Sequence, residues 1–159
     1  MTGTMNDTND DEYKLSFKYN SFNTAVDVIF RDTNDSINEC QKRNYEELIS
    51  KQEQLTSEIL EAIFEYYKEA YKYYNEGFSL SNSLTKEEIE EYLPTPTTPA
   101  NLKKFIEPST VYIADGKECE EGTMGIYFSC TWDTEHDLGV VIRDWKVVQT
   151  GSGQVAFLF

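Results

Sequence analysis

The fold class is decided by one long stretch, Asn38–Asn75, which reads NECQKRNYEELISKQEQLTSEILEAIFEYYKEAYKYYN. Its apolar residues recur at spacings of three, four and seven, which is the period of an amphipathic helix. They are Leu48, Leu55, Ile59, Ala62, Ile63, Tyr66 and Ala70. No Pro or Gly interrupts the stretch before Gly77, a residue suited to a helix C-cap. The pattern predicts one long helix that buries Leu55, Ile59, Ile63 and Tyr66.

Two segments before this helix have the residue pattern of a β-hairpin. Tyr13–Tyr19 alternates ring or aliphatic residues with polar ones, and Thr24–Phe30 is β-branched and apolar. A turn that begins at Asn20 joins them. Residues 1–11 lack apolar periodicity, so we expect a disordered leader followed by a single domain over residues 12–159.

Two short helices are predicted after the long one. A capping box, Thr85–Glu88, begins a helix that ends at Pro94. Thr98 is a suitable N-cap for the second helix, which is expected to run through Ile106 and to be closed by Pro108.

The residue pattern of the C-terminal part of the chain predicts five short strands. They are Thr110–Ala114, Met124–Thr131, Leu138–Arg143, Lys146–Thr150 and Val155–Phe159. Asp144-Trp145 stands where a two-residue hairpin turn belongs, and loops this short make neighbouring strands antiparallel. The predicted class is therefore α+β, an antiparallel sheet with one long helix packed across it and two short connecting helices.

Composition and charge exclude several classes of function. The chain has 29 acidic and 14 basic residues, a net charge of -15, so its surface repels nucleic acid and anionic lipid. The charge either attracts a basic protein partner or only keeps the domain soluble. The cysteines, Cys40, Cys119 and Cys130, are widely spaced and form no C-x-x-C motif, which favours reduced thiols in a cytoplasm over a disulfide framework or a zinc site. No apolar run approaches the roughly 18 residues of a membrane span, and no cofactor is expected.

The one dense polar cluster is Trp132–Asp137, WDTEHD, which contains the single His of the chain. Asp133, Glu135 and His136 can bind divalent metals or transfer protons, so one hypothesis is a small metal-binding or metal-dependent hydrolytic domain. In an extended segment, however, His136 would point away from both carboxylates. The other interpretation is a structural or binding role in which Asp133 forms an Asx turn. We expect no catalytic residues and no enzyme activity.

The stretch Gly125–Val140 resembles a signature, G-[apolar]-x-F-x-C-x-W-D-x-E-H-G-L-G-[apolar], of a bacterial family of domains of unknown function. The residues that match its central part are Trp132, Asp133, Glu135, His136 and Gly139. Similar proteins resemble the immunity-type groups found beside polymorphic toxins. The resemblance therefore implies a non-catalytic domain that binds and neutralises a protein partner, most concretely a basic toxin domain.

The chain departs from the family pattern at two positions. Asp137 stands where the family usually has Gly, and Asp is among the few residues that tolerate a positive φ there. Trp145 replaces a small turn residue at the predicted hairpin tip. It is a candidate partner-contact residue if exposed, and the alternative is that it folds back.

Overall fold

A sheet covered on one face by a long helix is the core of the computed structural model, which describes residues 4–5, 13–31, 33, 36–79, 84–114 and 118–159. The strands are β1 (Thr4–Met5), β2 (Tyr13–Tyr19), β3 (Thr24–Phe30), β4 (Ile106–Ile113), β5 (Met124–Cys130), β6 (Leu138–Arg143) and β7 (Lys146–Gly151). The helices are α1 (Glu39–Ser79) and α2 (Lys86–Tyr92), with short 3-10 helices at Asn20–Phe22, Pro99–Phe105 and Gly153–Ala156. The predicted α+β class is confirmed.

The strands lie in the sheet in the same order as in the chain. All neighbours are antiparallel except β3 and β4, which are parallel. The predicted antiparallel sheet is confirmed at the other pairs, and β3 and β4 run parallel because the long connection through α1 lets the chain return in the same direction. Thr4–Met5 of the predicted leader pair with Tyr13–Lys14, while the rest of residues 1–11 lies outside the described residues.

Helix α1 begins at a reciprocal side-chain cap. Asn38 Oδ1 accepts the N–H of Gln41 at 2.8 Å, and Gln41 Oε1 accepts the N–H of Asn38 at 3.0 Å. The long helix is confirmed, but it continues through Gly77 to Ser79, so Gly77 is not its C-cap. Within the described ranges, no helix is long and apolar enough to cross a membrane.

The buried face of α1 differs from the prediction at one residue. Leu55, Ile59 and Ile63 are buried, as the spacing indicates. Tyr66 is only partly buried, and Tyr67 is fully buried instead. The reason is that Ile59, Ile63 and Tyr67 follow one another at intervals of four, which keeps them on one face of the helix.

Buried polar side chains on α1 hold the loops at the ends of the sheet. Asn44 donates to the carbonyl of Glu120 at 2.9 Å and accepts the N–H of Gly122 at 2.8 Å. Gln52 Oε1 accepts the N–H of Asn20 at 2.7 Å. Since each amide satisfies a loop backbone group away from water, the helix fixes loop positions as well as the core.

The two connecting helices and the strand after them are shifted from the predicted bounds. The capping box at Thr85 is confirmed. The element capped by Thr98 is a 3-10 helix that ends at Phe105, and β4 begins at once with Ile106. Pro108 therefore lies inside a strand, and the ladder shifts register next to it because Pro has no N–H to donate.

The predicted strand Val155–Phe159 is wrong. The chain forms a 3-10 helix, Gly153–Ala156, that packs against the second face of the sheet. A Cβ atom at Gly125 would lie 1.8 Å from the carbonyl oxygen of Ala156, so only glycine in β5 permits this approach. The apolar residues of the segment are used for packing on β5 and β6, and no strand ladder forms.

Cys40 at the start of α1 and Cys119 in the loop before β5 form a disulfide, and Cys130 is a buried free thiol. The expectation of three reduced thiols is wrong for this pair. The two residues are 79 positions apart in sequence, but the fold brings their Cα atoms to 6.1 Å.

Candidate functional site

The signature loop, Trp132–Asp137, connects β5 to β6 and is organised around one carboxylate. Asp133 Oδ1 accepts the backbone N–H of His136 at 3.1 Å, and the carbonyl of Asp133 accepts the N–H of Asp137 at 2.9 Å. The hydroxyl of Tyr74 on α1 donates to Asp133 Oδ2 at 2.6 Å. Asp133 thus closes the turn of the loop and ties it to α1.

These bonds favour the charged form of Asp133. Burial alone would raise its pKa, but hydrogen bonds from Tyr74 and from the N–H and imidazole of His136 outweigh burial and hold the pKa below its usual value. His136 Nδ1 lies 3.1 Å from Asp133 Oδ1, and the side chains of His136 and Asp133 are 67% and 16% exposed. Burial and the bond to Asp133 also raise the pKa of Tyr74, so its hydroxyl keeps its proton.

A second carboxylate fixes the end of the loop. Asp137 has a φ of 56°, in the left-handed region that glycine adopts most easily and that Asp tolerates. Its Oδ2 accepts the hydroxyl of Tyr127 on β5 at 2.6 Å. That hydrogen bond, with burial, raises the pKa of Tyr127 to about 12. The carbonyl of His136 accepts the N–H of Gly153 at 2.8 Å, which attaches the C-terminal 3-10 helix.

The three alternative metal ligands, Asp133, Glu135 and His136, do not form a metal-binding set. Asp133 and His136 contact each other, and Glu135 is exposed. In the part of the chain that the structure describes, no group of three His, Cys, Asp or Glu side chains is placed to hold a metal ion. Both oxygens of Asp133 already accept hydrogen bonds from Tyr74 and His136, which a cation would have to replace.

The buried thiol of Cys130 lies under the same loop. Its Sγ donates to the carbonyl of Asp133 at 3.6 Å. Burial raises the pKa of this thiol to about 12, so it stays protonated at neutral pH. A protonated, buried thiol is poorly suited to act as a nucleophile.

The remaining signature residues, Trp132 and Gly139, pack the loop onto its neighbours. Trp132 is 6% exposed, and its ring centroid lies 4.5 Å from that of Tyr67 on α1. A Cβ atom at Gly139 would lie 2.8 Å from the carbonyl oxygen of Ser152 and 2.9 Å from Val155 Cγ2. The tryptophan therefore joins the loop to α1, and the glycine makes room for the C-terminal segment.

Trp145 lies in the predicted two-residue turn but does not extend from it. Asp144 and Trp145 have φ values of 52° and 63°, the positive values that a type I′ hairpin requires. The half-buried indole folds back onto α1, where Lys51 Nζ lies 4.6 Å from its centroid. The backbone N–H of Trp145 donates to the carbonyl of Gly122 at 3.2 Å. Of the two interpretations of this side chain, the folded-back one describes the structure.

The partners of the loop carboxylates were not predicted. Tyr74 and Asp133 are 59 positions apart, and Tyr127 and Asp137 are 10 apart. The sequence predicts both the long helix that carries Tyr74 and the strand that carries Tyr127. Neither prediction indicates which hydroxyl meets which carboxylate, because that depends on how α1 crosses the sheet.

Comparison with protein families places this arrangement in a recognised group. A family profile described as a domain of unknown function (DUF6985) matches residues 2–157. Comparison with curated proteins and with solved structures found no match. Since the matched region contains α1, the signature loop and most of the C-terminal segment, the chain belongs to the family of domains of unknown function DUF6985.

Proposed function

We propose that this domain is a non-catalytic protein-binding module of the immunity type, which neutralises a basic bacterial toxin domain by covering its anion-binding surface. The observation that carries the proposal is a set of exposed side chains on three linked elements, here named the acidic corner. It consists of Tyr73, Glu90, Glu91, Tyr92 and Glu135.

Two long-range hydrogen bonds bring the parts of the acidic corner together. Tyr74 on α1 bonds to Asp133 at 2.6 Å, and the hydroxyl of Thr131 donates to the carbonyl of Tyr92 at 2.8 Å. They join the C-terminal part of α1 and the end of α2 to the connection between β5 and β6. On this interpretation, the signature residues serve to hold a binding surface in place.

The composition of the acidic corner suits a basic partner. Tyr73 is 75% exposed and Tyr92 is 49% exposed. Tyrosine is enriched among the residues that contribute most to binding energy, while surrounding charges mainly speed the encounter and select the partner. The net charge of -15 exceeds the roughly 2–8 charges that suffice to keep a small domain soluble.

The bonding of the signature loop supports a non-catalytic role. The carboxylates of Asp133 and Asp137 act as acceptors for Tyr74 and Tyr127, and the Cys130 thiol stays protonated at neutral pH. Neutralising a toxin inside the producing cell requires a cytoplasmic location, which is part of the proposal. The Cys40–Cys119 disulfide counts against this part, because disulfides persist mainly in oxidising compartments.

The test is co-purification of the domain with the products of adjacent genes, followed by measurement of association rates between 0.01 and 0.15 M salt. The Debye length falls from about 30 Å to about 8 Å over this range, so the rate constant should fall steeply. Tyr73→Ala/Tyr92→Ala should weaken the complex at least about tenfold. Val148→Ala/Leu158→Ala, which truncates two other exposed apolar side chains, is the matched control and should bind normally.

Trp145→Ala is tested separately, because the sequence analysis gave Trp145 as a candidate contact with the partner protein. A loss of affinity in Trp145→Ala but not in the tyrosine variant would move the binding surface to the β6–β7 turn. Absence of a complex with any adjacent gene product would contradict the immunity role itself.

A further inference from the structure

A second candidate site lies between two short 3-10 helices, Asn20–Phe22 and Pro99–Phe105. The open groove between them, here named the lysine cleft, has a volume of about 560 Å³. Pockets for small ligands usually enclose about 300–1,000 Å³. The size of the lysine cleft therefore suits a small molecule.

The floor of the lysine cleft is apolar and is held by the core. Ile106 is buried, and Phe22 is partly buried. The ring of Phe22 meets Tyr19 edge-on with centroids 5.0 Å apart, and it lies 5.9 Å from the ring of Phe128. Since Tyr19 and Phe128 are fully buried, this floor exists before any ligand arrives.

The rim of the lysine cleft is cationic. Lys103 and Lys104 are both exposed and line it, and Lys103 Nζ lies 5.9 Å from the centroid of Phe22. Across the described ranges, neither ammonium group forms an ion pair with a carboxylate. Glu107 is the one acidic residue among the described lining residues. The cleft thus has an excess of positive charge on a chain whose net charge is -15.

Hydrogen-bonding groups stand beside these charges. Ser21, Asn23 and Asn101 also line the lysine cleft, and they supply hydroxyl and amide donors and acceptors. An apolar floor, a few polar groups and two cations on one rim are the elements from which sites for amphipathic anions are built.

We propose that the lysine cleft binds a small amphipathic anion. Its ring lies on Phe22 and Ile106, and its carboxylate or phosphate group meets the ammonium groups of Lys103 and Lys104. This inference does not rest on the proposed function, because the lysine cleft and the acidic corner share no residue.

The experiment titrates the folded, full-length protein with small probes and records two-dimensional amide spectra by NMR. Phenyl phosphate and benzoate combine a ring with an anion, whereas benzyl alcohol has the ring alone and inorganic phosphate the charge alone. Phenyl phosphate or benzoate should bind saturably, with shifts centred on Asn101, Lys103 and Lys104. Benzyl alcohol and inorganic phosphate should each bind at least about tenfold more weakly, because each lacks one half of the interaction.

The decisive variant is Lys103→Gln/Lys104→Gln, which should weaken the ring-bearing anion at least about tenfold. Its matched control is Lys68→Gln/Lys72→Gln on α1, which removes the same charge from lysines that pair with Glu65 and Glu69. The control should keep its affinity. An equal loss in both variants would overturn the proposal, because bulk charge would explain it. No saturable binding, shifts centred elsewhere, or inorganic phosphate binding as tightly as phenyl phosphate would also overturn it.

Discussion

Removal of the Cys40–Cys119 disulfide should lower the free energy of unfolding by about 4–5 kcal/mol. The magnitude follows from the 79-residue separation, because in the chain-entropy account a crosslink that closes a loop of this length costs the unfolded chain about 15 cal/mol/K. In the folded state the loop before β5 should stay in place without the crosslink. Asn44 still bonds to the backbone of Glu120 and Gly122, which follow Cys119 in that loop.

The measurement compares the wild type with Cys40→Ser/Cys119→Ser in urea, each with and without reductant. For a chain of 159 residues the expected loss corresponds to a fall of about 10–15 °C in melting temperature. Reductant should destabilise the wild type by the same amount and leave the variant unchanged. Thiol titration in denaturant should find one reactive group, that of Cys130, before reduction. Three groups would refute the crosslink, and a loss below about 1 kcal/mol with one group would refute the entropic reasoning.

Three further predictions concern the signature loop and a glycine of β6. Trp132→Ala should destabilise the fold by about 3–5 kcal/mol, because the buried ring contacts Tyr67, and an unchanged urea midpoint would contradict this. Because the pKa of Asp133 is lowered on folding, its stabilising contribution is present above about pH 4 and is lost as the pH falls through the folded pKa. Asp133→Asn should therefore flatten the loss of stability in acid below about pH 4, and Glu135→Gln, at an exposed carboxylate, should not. Gly139→Ala should cost about 1–3 kcal/mol through overlap with Ser152, whereas Gly77→Ala, with open space around it in α1, should be neutral or stabilising by up to about 1 kcal/mol.

The elements that were predictable are those with a local cause. The period of α1, the alternation of β2 and the capping box at Thr85 all depend on residues a few positions apart. The same holds for the Asp144-Trp145 turn, because only these two residues separate β6 from β7 and so short a connection requires a tight hairpin turn.

The elements that were missed depend on distant partners. Val155–Phe159 has the composition of a strand, and only the glycines in β5 and β6 let it pack as a helix on a sheet face. The parallel pairing of β3 and β4 and the Cys40–Cys119 bond likewise depend on the path of α1. In the signature loop, the residue types were recognised, but their hydrogen-bond partners on α1 and β5 were not.

The sequential order of the strands has a consequence for the folding pathway. The pairs within β4–β7 and the β2–β3 hairpin close over short loops, whereas the pairing of Asp27 with Thr110 must wait for the whole helical crossover. Closing that long loop has the largest entropic cost, and this cost arises before the contacts between β3 and β4 can offset it. We therefore expect the C-terminal meander β4–β7 and α1 to form early. The hydrogen bonds between β3 and β4 should form last and join this meander to the β2–β3 hairpin. Val140→Ala, which truncates a buried side chain within this meander, should then slow refolding.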